Sequence, residues 1–149
     1  MARLPTGVTI VSATGAEGPA GATANAVTSL SLEPPLMLAC LDRGSRTLTR
    51  VREAGRFGIS VLGADQAELA RGFATKAPHS EKFRDVSHVE REGVPLIDGA
   101  VAWIACRLRG LHDGGDHEIA VGEILDLGGG GGDPLVFFSG EYRPLDAIR

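Results

Sequence analysis

The stretch TANAVTSLSLEPPLMLACLDRGSRT, residues 23–47, decides the fold. Residues 23–32 combine β-branched and aliphatic side chains with small ones, and residues 36–41 are continuously apolar, so both segments are predicted strands. Between them, Glu33-Pro34-Pro35 cannot continue a pleated strand and predicts a turn. The last part of the stretch, residues 42–47, leads from the second strand into the start of a helix. The stretch therefore predicts neighbouring strands with a helix beside them.

Five further runs of β-branched, aromatic and aliphatic residues predict strands on both sides of this stretch: residues 8–12, 57–62, 101–108, 119–127 and 135–138. Clusters of glycine and proline separate the runs and predict turns at residues 15–19, 93–95 and 114–116. In residues 101–106 both alternating sets of side chains are apolar or small, which is typical of a strand covered on both faces. We therefore predict a mainly β fold with a few helices, a barrel of mostly antiparallel strands wrapped by helices or buried by a partner subunit.

Two helices fit between the predicted strands. The first should run from Ser45 to about residue 54, with Ser45 as its N-cap and Gly55 as its C-cap. The second should open at Asp65, because Asp65-Gln66-Ala67-Glu68 resembles a capping box with Asp in the place of Ser or Thr. The glycine run at residues 128–132 is interpreted as a flexible hairpin tip.

Length and composition predict one globular domain over residues 1–149. The chain has 149 residues, is 43% hydrophobic and 23% charged, and contains 21 glycines, which excludes a disordered chain or a coiled coil. Its longest apolar run, residues 36–41, is far shorter than the roughly 20 residues of a membrane-spanning helix. The N-terminus reaches Pro5-Thr6-Gly7 without the apolar stretch of a secretory signal. We therefore expect a cytoplasmic protein without a membrane span.

The distribution of charge separates the middle of the chain from its two ends. The formal net charge is −4, which argues against a nucleic-acid partner. Residues 43–91, however, hold ten Lys or Arg and six Asp or Glu. This local excess of positive charge suits a small anionic ligand, although a scattered, solvated surface would also produce it.

Two segments are candidates for ligand contact. In residues 41–47, a strand end, Gly44 and a helix start follow one another, so free N–H groups and the guanidinium of Arg46 could bind a phosphate. An ordinary serine cap with surface arginines is the alternative. In residues 22–29 small and hydrogen-bonding residues replace the larger ones of a core strand, so a flat ligand could lie against the backbone. A tightly packed strand crossing would give the same pattern.

The remaining reactive residue types give weaker signals. Cys40 and Cys106 lie in apolar runs and are predicted to be core residues rather than a disulfide or a reactive thiol. The four histidines show no metal-ligand spacing, and with these two cysteines in the core no zinc site is expected. His117 follows Gly114-Gly115-Asp116 and could bind a ligand or stabilise its turn. No serine or cysteine is placed as an evident nucleophile.

The order of motifs resembles the flavin reductase domain of two-component flavin-dependent monooxygenases, the FMN-binding split-barrel family. The resemblance covers nearly the whole chain, and no single motif carries it. The matching segments, in register along the chain, are residues 4–11, 23–36, 40–47, 73–74, 82–83, 93–96, 99–103, 115–117, 134–135 and 140–142.

The resemblance implies a Greek-key-like split β-barrel that forms a homodimer and binds FMN or FAD. Such a protein passes a hydride from NADH or NADPH to the flavin and supplies reduced flavin to a separate monooxygenase. His117 would lie on the nicotinamide side, and no residue is required as an acid or base. The implied flavin-binding residues are Thr23, Ala24, Asn25, Ala26, Thr28, Ser29, Leu41, Asp42, Ser45, Arg46, Thr47, Lys82 and Phe83.

One departure from the family pattern bears on function. The chain has Ala26-Val27 where the family commonly has Ser-Phe, which removes a possible hydroxyl contact to the flavin ring. Two alternatives to the reductase stay open because fold does not fix function: a non-catalytic flavin-binding or storage barrel, and a structural dimeric module without a ligand.

Overall fold

Residues 2–148, described by a computed structural model, fold around one antiparallel sheet of seven strands. Every strand pair in it is antiparallel, as the sequence predicts. In spatial order the strands are β3 (Gly18–Ala24), β2 (Thr9–Gly15), β6 (Arg56–Val61), β9 (Ala102–Gly114), β10 (His117–Gly128), β5 (Pro35–Asp42) and β4 (Val27–Leu32).

The rest of the described chain forms two small sheets and short helices. The helices are α1 (Arg46–Ala54), α2 (Ala67–Phe73), α3 (His79–Lys82) and a 3-10 helix at Leu145–Ile148. Strands β1 (Thr6–Gly7), β11 (Leu135–Phe138) and β12 (Glu141–Pro144) form one small sheet, and β7 (His88–Arg91) with β8 (Val94–Ile97) forms a hairpin. No helix within residues 2–148 has both the length and the hydrophobicity to cross a bilayer.

The single strand predicted over residues 23–32 is wrong, because the chain breaks at Asn25-Ala26. The residues before the break belong to β3 and those after it to β4, and these two strands lie at opposite ends of the seven-stranded sheet. From residue 24 to residue 27 the chain can span only roughly 11 Å. The sheet therefore curls until its two ends approach each other at this link.

Helix α1 begins and ends where its capping residues predict. The Ser45 side chain accepts a hydrogen bond from Thr47 N at 3.1 Å, and Gly55 closes the helix with a left-handed φ of 67°. Leu48 and Val51 are fully buried against the main core, which includes Phe57 of β6. The buried face of α1 therefore sets the direction in which its N-terminus points.

Helix α2 corrects the predicted capping box. The helix begins at Ala67, and its N-cap is Gln66, one residue later than the predicted cap Asp65 and without a side-chain cap hydrogen bond. The Gln66 side chain is used elsewhere: Oε1 accepts from Gly63 N at 2.9 Å, and Nε2 donates to Asp98 O at 3.1 Å. Glu68 forms an ion pair with Arg71 instead of closing a capping box.

Strand β9 is covered on both faces, as predicted, but by an unexpected element. Ala105 and Cys106 are both fully buried on opposite faces of the strand. Ala105 packs with Val94 and Leu96 of β8, so the hairpin β7–β8 covers this face of the strand. The turn predicted at residues 93–95 lies one residue earlier: Glu92 and Gly93, with φ 51° and 77°, form it, and Val94 and Pro95 already belong to β8.

The structure also tests the predictions for the two cysteines and for the glycine run. Cys106 is a free, fully buried core cysteine, and burial raises the pKa of its thiol to about 12. Cys40, also free, is only half-buried, so its assignment to the core is wrong. Residues 128–132 are not a hairpin tip, since they connect β10 of the large sheet to β11 of another sheet.

Gly122 of β10 marks the tightest place in the main core. A Cβ atom at this position would lie 2.6 Å from both Cys106 Cβ and Phe57 Cζ. Real Cβ atoms do not approach other atoms so closely, so only glycine lets β10 and the Phe57 ring pack against each other here.

Candidate functional site

A groove of about 680 Å³ opens where β5 runs into α1. Four parts of the chain meet there: β3, the β5–α1 turn, the loop after α2, and α3. We call it the basic groove, and it is lined by Ala22, Thr23, Asp42, Gly44, Ser45, Arg46, Thr47, Phe73, Ala74, Thr75, Lys76, His79 and Lys82.

The N-terminus of α1 points into the basic groove. Asp42 shapes the turn before it, since Asp42 Oδ1 accepts from Gly44 N at 2.7 Å and Asp42 O accepts from Ser45 N at 3.0 Å. Thr47 is 1% exposed, and its Oγ1 is buried without a hydrogen-bond partner. The free N–H groups and the positive end of the helix dipole make this corner suited to an anion.

The charged side chains of the groove are predominantly cationic. Arg46, Lys76 and Lys82 carry three positive charges against the one negative charge of Asp42. Among residues 2–148, none of these three cations forms an ion pair with a carboxylate, whereas Arg50 on the same helix pairs with Glu17. Cations left without a protein counter-ion favour an anionic ligand.

Backbone carbonyls hold two of these cations in place. Arg46 Nη2 donates to Lys76 O at 3.0 Å and to Ala77 O at 2.9 Å, so its guanidinium links α1 to the loop after α2. Lys82 Nζ donates to Phe73 O at 3.2 Å and to Gly21 O at 3.3 Å. Burial, followed by the charge of Arg46, lowers the pKa of the Lys82 ammonium.

His79 lies beside these cations and is held neutral. Its Nδ1 accepts a hydrogen bond from Gly21 N at 3.3 Å. Its Nε2 is buried without a partner. Burial and then the charges of Lys82, Arg46 and Arg50 lower the pKa of the His79 imidazole from 6.5 to about 4.

A second, mostly apolar pocket of about 620 Å³ lies on the other side of the β3–β4 link. Thr23 lines the basic groove, whereas Asn25 and the residues after it line this pocket, so the link separates the two. Asn25 Oδ1 is buried here without a hydrogen-bond partner. The pocket is lined by Ala2, Leu4, Thr6, Asn25, Ala26, Val27, Thr28, Leu38, Cys40, Phe137 and Gly140.

The two cavities together contain nine of the expected flavin-binding residues. The basic groove holds Thr23, Asp42, Ser45, Arg46, Thr47 and Lys82. The apolar pocket holds Asn25, Ala26 and Thr28. Thr23 of the first set and Asn25 of the second lie only two residues apart in the chain, so the two sets meet at the β3–β4 link.

The other four expected residues line neither cavity. Ala24 and Leu41 are buried in the main core, and Ser29 is exposed on β4. Phe83 is buried in a second core, edge-on to Phe73 with their ring centroids 5.0 Å apart. In the pair Lys82-Phe83, the lysine therefore lines the groove and the phenylalanine supports it from behind.

His117 lines neither cavity, but it lies at the rim of the basic groove, next to the lining residue Asp42. It is the first residue of β10 and pairs with Asp42 of β5, while its side chain is 43% exposed. Its Nδ1 lies 2.7 Å from Asp116 Oδ1, and this hydrogen bond, followed by the charge of His117, lowers the pKa of the Asp116 carboxyl. The side chain of His117 is thus oriented by its neighbour.

Lys76 and His79 line the groove but were missed as site residues in the sequence. Both lie in a segment that resembles a loop, and neither belongs to a recognisable motif. The available signal was the positive charge of residues 43–91, which includes Lys76. His79 had no signal of its own, because only the tertiary fold brings α3 against β3.

Residues 1–146 match the family model described as "Flavin reductase like domain". The chain is 39% identical over 151 residues to an NADH-dependent flavin reductase from Rhodococcus sp, a match covering 99% of this chain and 84% of that protein. It is 42% identical over 136 residues to the reductase component of 4-nitrophenol 4-monooxygenase/4-nitrocatechol 2-monooxygenase from Rhodococcus opacus, covering 91% and 72%. The NADH:FAD oxidoreductase of Streptomyces globisporus C-1027, solved with NAD and FAD fragments, superposes with a TM-score of 0.89 at 39% identity and covers 95% of this chain and 86% of that one.

Proposed function

Because the chain belongs to the flavin reductase-like family, we propose that it is an NADH:flavin oxidoreductase that reduces FMN or FAD and supplies the reduced flavin to a separate flavin-dependent monooxygenase. The observation that carries this proposal is the basic groove, where three cations that have no carboxylate partner among residues 2–148 surround the N-terminus of α1. This is the environment that the phosphate of a flavin nucleotide requires.

The donors in the groove fit a flavin phosphate. The backbone N–H groups at the start of α1, the Arg46 guanidinium and the Lys82 ammonium would hold its oxygens. The buried, unpartnered Thr47 Oγ1 adds one more polar group at the same corner. The flavin ring would lie along the β3–β4 link, where small side chains allow close approach and the unpartnered Asn25 Oδ1 is available.

The protein's contribution to the reaction is binding and orientation. When bound, the two cofactors supply the redox chemistry themselves, a hydride passing from the nicotinamide to the flavin. The groove would hold the flavin through its phosphate, and the β3–β4 link would support its ring, so the protein would orient the flavin for the transfer. No protein acid or base is needed, which agrees with a site whose one central imidazole, that of His79, is held neutral.

The proposed hydride donor is NADH rather than NADPH. The rim around His117 is acidic, with Asp42, Asp113 and Asp116 close to it in the strand register. Arg43 is fully engaged there, since it donates to Gly115 O at 2.6 Å and pairs with Asp113 and Glu118. The 2′-phosphate of NADPH would lie next to carboxylates at this rim. Among the residues just named, no guanidinium is free to bind it.

Replacing His117 by alanine should raise the KM for NADH more than the KM for flavin. His117 lies at the rim, is held by Asp116, and belongs to no phosphate contact of the groove. We expect the KM for NADH to rise about three- to tenfold, the cost of one lost hydrogen bond. Steady-state kinetics with each substrate varied in turn measure both constants. An unchanged KM for NADH would remove His117 from the nicotinamide site.

The family's split barrel and homodimer are part of the same proposal. The two ends of the seven-stranded sheet approach each other at Asn25-Ala26, as the curled sheet of a barrel requires. β4 ends the sheet on one side and carries Leu30 and Leu32, which are 48% and 92% exposed. The apolar pocket adjoins this strand, so a second copy placed here would cover apolar surface. The proposed location is the cytoplasm.

The test is the loss of NADH absorbance when the purified protein is mixed with NADH or NADPH, with and without FMN, FAD or riboflavin. We expect flavin-dependent oxidation that saturates in both substrates and is faster with NADH. The protein-free reaction gives the background rate. Flavin binding without turnover would replace the reductase with a flavin-binding protein, and the absence of both would leave a structural module.

A further inference from the structure

Two side chains of helix α3 form hydrogen bonds with the backbone N–H and C=O of a single residue of β3, Gly21. His79 Nδ1 accepts from Gly21 N at 3.3 Å, and Lys82 Nζ donates to Gly21 O at 3.3 Å. β3 ends the seven-stranded sheet, so the outward-facing N–H and C=O of Gly21 pair with these side chains instead of another strand. We call this pair of hydrogen bonds the Gly21 clamp.

The Gly21 clamp bears directly on the wall of the basic groove. The next two residues, Ala22 and Thr23, line the groove. The inner face of Gly21 is tightly packed, because a Cβ atom there would lie 3.0 Å from Phe73 Cε1. Thr23 is held on the same side by a hydrogen bond of 2.6 Å from its Oγ1 to Ala70 O. The position of this wall therefore depends on what holds Gly21.

The clamp works with only one form of the His79 ring. Because Gly21 N–H donates to Nδ1, Nδ1 must carry a free lone pair, and the proton of the neutral ring is on Nε2. A proton on Nδ1 would turn the acceptor into a second donor facing a donor. It would also add a positive charge beside Lys82 and Arg46.

Most charges around the ring are positive. α1 contributes Arg46 and Arg50, α3 contributes Lys82 and Glu81, the loop after α2 contributes Lys76, and β5 contributes Asp42. Arg50 is offset by its ion pairs with Glu17 and Glu53. β3 contributes no charged residue, because residues 18–24 are uncharged. The charges nearest to the ring thus oppose its protonation.

We propose that His79 is a positioning residue for flavin binding, which acts only as the neutral ring and holds the β3 wall of the basic groove through Gly21. This inference rests on the proposed function, since the ligand whose site the wall shapes is the flavin phosphate. Protonation of His79 releases Gly21 and weakens flavin binding without touching the redox step. His79 therefore affects the flavin KM and leaves kcat near that of the parent.

A matched pair of variants tests the clamp. In His79→Asn, the side-chain oxygen replaces Nδ1 and can still accept from Gly21 N, whereas His79→Gln places its oxygen where Nε2 was. We expect the Gln variant to bind FMN about three- to tenfold more weakly and the Asn variant to bind within about twofold of the parent, at about pH 7.5. Quenching of flavin fluorescence gives the dissociation constants, and steady-state kinetics give kcat.

The pH dependence separates positioning from a merely structural role. The folded pKa of about 4 lies below the ordinary 6.5, so the contribution of His79 to stability is complete above pH 6.5 and is lost as the pH falls towards 4. Urea unfolding of the flavin-free parent should show this loss, and the Asn variant should lack it. FMN binds the folded protein, so the FMN affinity of the parent should fall only as the pH approaches about 4, where the folded His79 ring becomes protonated. The Asn variant, measured at the same pH values, corrects for titration of the phosphate.

The outcomes are distinct. The proposed role of His79 is overturned if the Gln variant binds FMN as tightly as the parent, or if the Asn variant loses as much affinity as the Gln variant. Either result leaves the proposed function standing. A parent whose unfolding shows the same pH dependence as the Asn variant overturns it without any flavin in the experiment. If the parent binds no flavin at all, the proposed function fails as well.

Discussion

Replacing Arg46 by alanine is expected to weaken FMN binding about ten- to a hundredfold while changing riboflavin binding far less. Arg46 lines the basic groove beside the N-terminus of α1 and has no carboxylate partner among residues 2–148. A charge-assisted hydrogen bond to a phosphate is worth about 1.5–3 kcal/mol. Riboflavin has no phosphate, so its binding does not depend on this hydrogen bond. The ratio of the FMN and riboflavin dissociation constants, measured by fluorescence quenching, is the readout.

Two further variants isolate the phosphate contact from the other role of Arg46. The guanidinium also holds the carbonyls of Lys76 and Ala77, so the alanine variant loses that link as well. Arg46→Gln keeps a donor for those carbonyls and removes the charge, and it should show the same altered ratio. Arg52→Ala removes a charge from the same helix, where Arg52 pairs with Glu118 and lies outside the groove lining. An unaltered FMN-to-riboflavin ratio in Arg46→Ala would place the phosphate elsewhere.

Gly122→Ala is expected to lower the free energy of unfolding by about 1–3 kcal/mol. The added methyl group would lie 2.6 Å from Cys106 Cβ and Phe57 Cζ, and both residues are fully buried. The clash can be relieved only by moving a strand or the aromatic ring, because no flexible side-chain end is in the way. Urea unfolding followed by circular dichroism measures the change.

Two controls test whether the clash at Gly122 causes the loss of stability. Gly72→Ala adds a methyl group to α2 where nothing lies within 4 Å, so it should stabilise the protein by about 0.5–1 kcal/mol. Phe57→Leu replaces the ring that opposes Gly122 by a shorter side chain. Gly122→Ala should therefore lower the free energy of unfolding less in that background than in the parent. Equal costs in the two backgrounds would show that the Phe57 contact is not the cause.

The parts of the fold that could be predicted from sequence are those governed by neighbours in the chain. The bounds of α1 follow from Ser45 and Gly55, whose capping interactions reach only a few residues. The predicted start of α2 was wrong because Gln66 is recruited by the carbonyl of Asp98, 32 residues away. The break at Asn25-Ala26 was missed because it contains neither glycine nor proline, and only strand pairing reveals it.

The same distinction holds for the candidate site. The turn before α1 could be recognised, since Asp42, Ser45 and Arg46 are local in the chain. His79 could not, because its role arises from a contact with Gly21, 58 residues earlier. The direction of a side chain could not be predicted either, since Phe83, expected near the ligand, packs into the second core behind Phe73.

The Gly21 clamp has a consequence for self-assembly. Unpaired strand edges are templates for adding another chain, and a sheet with two open edges can grow indefinitely. Here the β3 edge is occupied at Gly21 by His79 and Lys82, while β4 forms the other edge. In the proposed homodimer, two copies that met through their β4 strands about a two-fold axis would pair these two edges with each other, so growth through β4 would stop at the pair. The contact that holds the β3 wall thus also keeps one residue of the β3 edge from pairing with another chain.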